Sequence, residues 1–274
     1  MRLLSGSTRI AGVIGWPVAH SRSPRLHGAW LNRHEIDGSY IPLPVAPPDF
    51  VAVVRALARA GFAGANVTLP HKQAAFAVCD HIAPSAQRAG AVNTLVFGEA
   101  GITGSNTDGY GFIENLRAHG VNPGAGPALV LGAGGAARAI TAALQEAGAR
   151  VSLCNRTAER GAALAAHLPP AQVLPWAQRE AALGDFALLV NTTTLGMEGA
   201  DPLEMDLARA SPGLTVADIV YAPLITPLLA EAASRKLKAV EGLGMLLHQA
   251  VPGFAAWFGV TPVVDAALYG LVAG

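Results

Sequence analysis

The stretch LVLGAGGAARA, at residues 129–139, constrains the fold of this chain more than any other part of the sequence. The residues before Gly132 are apolar, as in a buried strand, and the alanine-rich residues after Gly135 are typical of a helix. A strand that turns through glycines directly into a helix is the usual opening of a βαβ unit. The sequence therefore predicts a parallel sheet covered by helices in this part of the chain.

The same turn predicts a site for a dinucleotide. The first glycine, Gly132, allows the tight turn, and the next, Gly134, allows the backbone to approach a pyrophosphate. The start of the helix adds unpaired N–H groups and a partial positive charge. Ala137 stands where a third small residue allows the helix to pack closely on the strand.

The end of the next strand indicates which dinucleotide is bound. A site for NAD usually carries Asp or Glu here, which accepts a hydrogen bond from the ribose 2′-hydroxyl. This chain has Asn155 instead, followed by Arg156, Thr157 and Arg160. A carboxylate would repel a 2′-phosphate, whereas guanidinium groups bind it with charge-assisted hydrogen bonds. The pattern favours NADP over NAD.

Strands alternate with helices along nearly the whole chain. Apolar and β-branched runs predict strands at 10–15, 39–45, 64–69, 91–97, 128–133, 150–155, 186–193 and 214–221. Helices are predicted between most of them, including one that places Phe50, Val54 and Leu57 on one face. Such alternation predicts an α/β fold with parallel sheets, and the turn from EAG (99–101) into ITGSN predicts a hairpin-like end to the first half. We expect two α/β domains that flank a cleft and meet near residues 103–107, the second of the Rossmann type.

Composition excludes several classes of protein. Lys plus Arg and Asp plus Glu number 19 each, so no net charge favours nucleic acid, and 51% hydrophobic residues exclude a disordered chain. Cys79 and Cys154 are too far apart for a CxxC pair and suggest a reducing compartment. Residues 242–264 lack charge but contain glycines and prolines, which favours a buried helix over a membrane span. No targeting segment is recognisable, so we expect a cytoplasmic protein.

Polar residues follow apolar strands at several places in the first half. The segments are HSRSP (20–24), NVTLPHK (66–72), AVNT (91–94) and GSNTDG (104–109). We expect all of them at the carboxyl ends of strands, where open α/β sheets bind ligands. The histidines have no metal-ligand spacing and the chain has no GxSxG motif, so neither a metal site nor a serine nucleophile is predicted.

Together these segments resemble the shikimate dehydrogenase family. The likeness runs through nearly the whole chain, in the segments GWPVAHSRSPRLH, GANVTLPHK, GAVNT, GSNTDGYG, GAGGAARA, NRT, NTTTLGM, DIVYAPLITPLL and GLGMLLHQA. The resemblance implies a substrate domain at 1–105, completed by 240–274, and a Rossmann-type NADP domain at 106–239. It also implies reversible NADP-dependent reduction of 3-dehydroshikimate to shikimate, in aromatic amino-acid biosynthesis.

The resemblance also assigns roles to residues. Lys72 and Asp108 match the catalytic pair of the family. Substrate contacts are implied for Ser21, Ser23, Asn66, Thr68, Asn93, Tyr221 and Gln249. Cofactor contacts are implied for Gly132, Ala133, Gly134, Gly135, Ala136, Asn155, Arg156, Thr157, Arg160, Ile219, Gly242 and Met245.

Some questions stay open at this level. The sequence assigns no role to His71, and Gly28 stands where many relatives carry Asn; we expect local repacking there without loss of activity. Burial lowers the pKa of a lysine and a carboxylate partner raises it, so the proton is assigned to Lys72 and Asp108 as a coupled pair. A quinate/shikimate dehydrogenase of the same fold and a non-catalytic sensor of NADP or shikimate are the alternatives. Oligomeric state is open, with a homodimer as one alternative.

Overall fold

The structure is a computed structural model that describes residues 4–274. It contains two compact units. The first unit comprises the chain up to Thr107 together with Leu247–Gly274, and the second unit comprises Asp108–Leu246. The functional domain bounds predicted above differ from these units by a few residues and stay a prediction.

The elements alternate along the chain as predicted. The strands are β1 Arg9–Gly15, β2 Gly38–Pro44, β3 Gly64–Val67, β4 His81–Ile82, β5 Thr94–Gly98, β6 Gly101–Ser105, β7 Ala128–Leu131, β8 Val151–Cys154, β9 Gln172–Val173, β10 Leu188–Asn191, β11 Thr215–Asp218 and β12 Lys238–Val240. The α-helices are α1 Ser23–Arg33, α2 Phe50–Arg59, α3 Lys72–Val78, α4 Pro84–Ala89, α5 Asp108–Ala118, α6 Gly135–Glu146, α7 Ala158–His167, α8 Pro227–Ser234, α9 Leu243–Phe258 and α10 Ala266–Ala273. The α/β fold class is confirmed.

The sheet of the first unit has the strand order β2-β1-β3-β5-β6-β4. Strands β1, β2 and β3 are parallel, but β5 is antiparallel to both β3 and β6. The expectation of parallel sheets is therefore wrong for β5, whereas the hairpin-like end predicted for this half is confirmed. Gly98 pairs with Gly101, so only two residues connect β5 to β6, and a connection this short allows a hairpin but no parallel crossover.

The sheet of the second unit has the order β12-β11-β10-β7-β8-β9, and every neighbouring pair in it is parallel. The order reverses between β7 and β10, which is the switch point of a Rossmann-type sheet. Strands β7, β10 and β11 are buried on both faces, as continuous apolar runs predict for parallel strands. The predicted Rossmann-type domain is confirmed.

Several strands are shorter than their apolar runs. The run 64–69 forms a strand only as far as Val67, and the run 91–97 enters the sheet only at Thr94. Thr68 and Asn93 consequently lie in loops next to the sheet. The two-residue strands β4 and β9 were not predicted, because such short segments carry no periodic signal.

Within the described residues, 4–274, no helix is both long enough and apolar enough to cross a membrane. Helix α9, the buried helix predicted in the uncharged segment, covers Leu243–Phe258 and contains Pro252.

An aromatic cluster of the first unit encloses a histidine. His27 of α1 is fully buried and stacks on Tyr40, with ring centroids 3.9 Å apart. Trp30, Phe254 and Trp257 surround it. Burial lowers the pKa of His27 from 6.5 to about 3, and the neighbouring Asn66 side chain offsets part of this effect.

We predict that His27 makes the fold sensitive to acid. Between pH values of about 3 and 6.5 the unfolded chain binds a proton that the folded chain excludes, so the free energy of unfolding falls as pH falls below 6.5. His27→Phe should remove this component, which amounts to about 2 kcal/mol between neutral pH and about pH 5. Urea unfolding at both pH values measures it. Trp30→Phe, a change in the same cluster that removes no titratable group, should retain the wild-type dependence; identical pH dependence in His27→Phe would contradict the prediction.

We also predict that Gly28→Ala stabilises the protein. Gly28 lies inside α1, and an added Cβ would meet no atom within 4 Å. Alanine in a helix interior is more favourable than glycine by up to about 1 kcal/mol, and urea unfolding should show an increase of that order with unchanged activity. Gly109→Ala in α5 is the matched control, because its Cβ would lie 2.7 Å from the carbonyl oxygen of Ala139 and should destabilise. A loss of stability in Gly28→Ala would refute the proposed fit.

Candidate active site

The polar segments of the first unit meet at one edge of its sheet. Asn66, near the end of β3, pairs with Thr94 at the start of β5, and Thr94 pairs with Ser105 at the end of β6. The expectation that all the segments follow carboxyl ends of strands is wrong for 91–94, which lies at the amino end of β5. Because β5 runs antiparallel to its neighbours, its amino end lies at the same edge as their carboxyl ends.

Ser21 and Ser23 lie at the start of α1. Ser23 is buried and is the first residue of the helix, while Ser21 is half-buried in the loop before it. The backbone N–H of Ser23 donates to Ser21 Oγ at 3.3 Å. The first turn of α1 contains no acidic residue. Neutral hydroxyls at the positive end of a helix dipole suit a carboxylate ligand.

Asn66 is buried, and both the oxygen and the nitrogen of its side-chain amide form hydrogen bonds. Its Oδ1 accepts a hydrogen bond from the Tyr40 hydroxyl at 2.6 Å. Its Nδ2 donates to the Asn93 carbonyl at 3.3 Å and to Thr94 Oγ1 at 3.2 Å. Thr68, two residues further on, is half-buried beyond the end of β3. Asn66 lies in β3 and Thr68 directly beyond its end, so both residues lie at this edge of the sheet.

Asn93 and Gln249 belong to one hydrogen-bonded set around Thr107. The backbone N–H of Thr107 donates to Asn93 Oδ1 at 2.9 Å, and Asn93 Nδ2 donates to Thr107 Oγ1 at 3.1 Å. Thr107 Oγ1 donates a hydrogen bond to Gln249 Oε1 at 3.3 Å. All three side chains are buried. The return of α9 to the first unit thus brings Gln249 beside Asn93, as the predicted shared site requires.

Lys72 is the first residue of α3 and is half-buried. Its carbonyl oxygen accepts a hydrogen bond from the backbone N–H of Val92 at 2.9 Å, which ties the start of α3 to the residue before Asn93. Asp108 is buried and is the first residue of α5, where the positive end of the helix dipole stabilises a carboxylate.

His71, to which the sequence assigned no role, supports the start of α3. It is buried, its ring stacks on Phe50 with centroids 4.6 Å apart, and its Nε2 lies 2.8 Å from the Val45 carbonyl. Its own carbonyl oxygen accepts from the N–H of Ala75. His71 therefore anchors the helical turn that carries Lys72. The sequence alone did not reveal this role of His71, because its partners Val45 and Phe50 lie elsewhere in the sequence.

The glycine turn of the second unit has the predicted backbone. Gly132 has φ +113°, which favours glycine, and an added Cβ would lie 2.5 Å from Thr192 Oγ1. Gly134 is exposed, and an added Cβ would meet nothing within 4 Å. Helix α6 begins at Gly135, and Ala137 is fully buried against the sheet. Open space before a helix start fits a pyrophosphate.

The arginine loop follows β8. The Asn155 side chain donates from Nδ2 to the Thr157 carbonyl at 2.7 Å and so holds the loop that leads into α7. Arg156, Thr157 and Arg160 are exposed. Both guanidinium groups are thus accessible at the carboxyl end of β8, where a nucleotide ribose lies in Rossmann-type folds.

Ile219, Gly242 and Met245 come together in the second unit. An added Cβ at Gly242 would clash with the backbone of Ile219 and Val220, so only glycine allows this approach. Met245 belongs to a buried cluster against which Ile219 packs. Tyr221 is half-buried in the loop that follows β11.

Asp218 and Asn115 form the hydrogen bonds that fix the chain around Ile219 and Gly242. Neither residue was identified from the sequence. Asp218 is buried and accepts hydrogen bonds from Asn191 Nδ2, the Val220 N–H and Thr226 Oγ1 at 2.8–3.0 Å. Burial raises the pKa of Asp218 against the effect of these donors. Asn115 Nδ2 donates to the Glu241 carbonyl at 2.7 Å, directly before Gly242. Asp218 could have been identified from the sequence as a carboxylate at the end of the buried strand TVAD.

Comparisons with known proteins bear on the whole chain. Residues 13–95 match the family described as shikimate dehydrogenase substrate binding domain. A shikimate dehydrogenase (NADP(+)) from Acidiphilium cryptum is 72% identical over 271 residues, covering 99% of this chain and 98% of that protein. Shikimate 5-dehydrogenase from Thermus thermophilus, solved in complex with NADP(H) and shikimate, matches with TM-score 0.88 and 39% identity, covering 97% of this chain and 98% of that one.

A quinate dehydrogenase from Corynebacterium glutamicum, solved in complex with NAD, matches with TM-score 0.89 at 27% identity, covering 96% of this chain and 98% of that one. The fold therefore serves more than one substrate and cofactor. The far higher identity to the Acidiphilium protein runs through both units, and it confirms the resemblance seen in the sequence motifs. The chain belongs to the shikimate dehydrogenase family.

Proposed function

We propose that this chain catalyses the reversible NADP-dependent reduction of 3-dehydroshikimate to shikimate, in aromatic amino-acid biosynthesis. The observation that carries the proposal is the buried set of Asn93, Thr107 and Gln249 at the sheet edge where α3 presents Lys72. Buried amides and hydroxyls discriminate strongly between substrates that bear hydroxyls and analogues that lack them. The Acidiphilium relative is a shikimate dehydrogenase (NADP(+)), which agrees with the proposal.

The first unit supplies the substrate contacts in this proposal. The Ser21 and Ser23 hydroxyls at the start of α1 bind the carboxylate without a competing charge. The amides and hydroxyls of Asn66, Thr68, Asn93 and Gln249 bind the ring hydroxyls, and the family resemblance assigns a further substrate contact to Tyr221.

The second unit holds the cofactor. Gly132 to Ala136 cradle the pyrophosphate at the start of α6, and Arg156 and Arg160 bind the 2′-phosphate with charge-assisted hydrogen bonds. Asn155 and Thr157 shape the loop that carries the arginines. Ile219, Gly242 and Met245 line the nicotinamide position. When bound, NADPH supplies the hydride.

Lys72 and Asp108 form the acid–base pair. Reduction of the carbonyl carbon develops negative charge on its oxygen, and the Lys72 ammonium group stabilises that charge and donates the proton from Nζ. In the reverse direction the pair receives the proton from the substrate hydroxyl. We assign the proton to the pair and not to either residue alone.

We predict that Lys72→Ala lowers kcat by about 10²- to 10⁴-fold, the usual contribution of general acid–base catalysis. Asp108→Asn should lower kcat as well, because it removes the charge of the partner. The measurement is steady-state NADP reduction with shikimate. Lys238→Ala, which removes an exposed lysine of β12, is the matched control and should be as active as wild type. Near-normal turnover by Lys72→Ala would refute the mechanism.

We predict that Arg156→Ala raises the KM for NADP by about tenfold or more, since it removes hydrogen bonds to a charged phosphate. The KM for NAD should change little, and the preference for NADP should shrink. Arg150→Ala is the matched control, because Arg150 is exposed beside the opposite end of the same strand. Equal use of NAD and NADP by the wild-type enzyme would contradict the role of the arginines.

The deciding experiment compares shikimate and quinate with NADP and NAD side by side. Turnover of shikimate with NADP supports the proposal. Equal turnover of quinate would favour the quinate/shikimate alternative, and binding without turnover would favour the sensor. The cytoplasmic location and the homodimer alternative stay predictions, which fractionation and sedimentation measure.

A further inference from the structure

Tyr40 of β2 lies at one end of a buried chain of hydrogen bonds, yet no role was assigned to it. Its ring is buried and stacks on His27, and its hydroxyl donates to Asn66 Oδ1 at 2.6 Å. Burial raises the pKa of Tyr40 well above 10.0, and the neighbouring Ser23 has a smaller opposite effect. The phenol therefore keeps its proton at any pH at which the enzyme works, and its hydroxyl remains a donor.

The direction of the bonds at Asn66 follows from its partners. The Asn93 carbonyl can only accept, so the group of Asn66 that faces it at 3.3 Å is Nδ2. Nδ2 also donates to Thr94 Oγ1 at 3.2 Å. Oδ1 is thereby turned to Tyr40, whose hydroxyl takes one of its two acceptor positions.

The chain continues through Thr94 to the centre of the site. Because Thr94 Oγ1 accepts from Asn66, its own proton is directed to Asn93 Oδ1, 2.9 Å away. The same Asn93 Oδ1 accepts from the backbone N–H of Thr107. Donation thus runs in one direction, from Tyr40 to Asn66, from Asn66 to Thr94 and from Thr94 to Asn93.

We propose that Tyr40 is a positioning residue, which through its bond to Asn66 holds the Asn66–Thr94–Asn93 set in the arrangement that receives the ring hydroxyls of the substrate. This inference rests on the proposed function, since it deepens the description of the same substrate site. Tyr40 acts through Asn66, whose Oδ1 accepts from a substrate hydroxyl. Asn66 Oδ1 therefore favours a substrate that carries a hydroxyl group within hydrogen-bond distance of it.

The test is Tyr40→Phe, which keeps the ring that stacks on His27 and removes only the hydroxyl. We expect the KM for shikimate to rise by about tenfold, as loss of one buried hydrogen bond implies. The KM for NADP and kcat should stay within about twofold, because the change affects ground state and transition state alike. Tyr269→Phe in α10 is the matched control, since it removes a phenol hydroxyl of the same unit outside this chain of bonds.

A double-mutant cycle tests whether Tyr40 acts through Asn66. In an Asn66→Ala background, Tyr40→Phe should change the KM for shikimate by less than about twofold. Thr94→Val interrupts the same chain without touching Tyr40 and should raise this KM, whereas Thr94→Ser retains the hydroxyl and should restore it. If Tyr40→Phe fails to fold, the two Thr94 variants still test whether this chain of hydrogen bonds sets the KM for shikimate.

An unchanged KM for shikimate in Tyr40→Phe, with a lower melting temperature, would overturn the inference and leave Tyr40 a packing residue. An equal rise in both backgrounds would also overturn it, because Tyr40 would then act independently of Asn66. Absence of shikimate turnover in wild type and Tyr269→Phe would instead refute the proposed function, and this inference with it.

Discussion

The reversed direction of β5 determines which polar side chains of the first unit can meet. A parallel strand in this place would put Asn93 and Thr94 at the opposite edge, about a strand length from Asn66 and Lys72. The hairpin from Gly98 to Gly101 sets β5 antiparallel to β6, and the pairing of β5 with β3 is antiparallel as well. Asn93, Thr107 and Gln249 can bond to one another only because this reversal brings their loops to the same edge.

Burial gives these contacts their selectivity. An amide or hydroxyl that is removed from water must find a partner, or it destabilises the fold by about 1–3 kcal/mol. At the edge of the first sheet the buried side chains of Asn66, Thr94, Asn93 and Thr107 bond to one another. Asp218 serves the second unit in the same way, since its three donors fix the path of the chain after β11.

Sequence reasoning recovered the elements that carry a local signal. The glycine turn at Gly132, the apolar face of α2 and the continuous apolar runs of the second sheet each reflect a constraint within a short segment. The hairpin after β5 was predicted from residues 99–106, but the direction of β5 relative to β3 was not, because the periodicity of a strand is the same whichever way it runs. Tyr40, His71 and Asn115 were missed because their partners lie elsewhere in the sequence, and no spacing rule reports a tertiary hydrogen bond.

The contacts of His71 at the start of α3 affect how this enzyme responds to substitutions. The turn before Lys72 rests on the His71 ring, which is fixed by Phe50 of α2 and by the Val45 carbonyl. A substitution that shifts Phe50 therefore moves the ammonium group, although Phe50 carries no chemical function. An unbiased screen for loss of turnover will thus recover aliphatic and aromatic positions of α2 beside the charged ones. In variants that stay folded, turnover will fall because the Lys72 side chain is displaced.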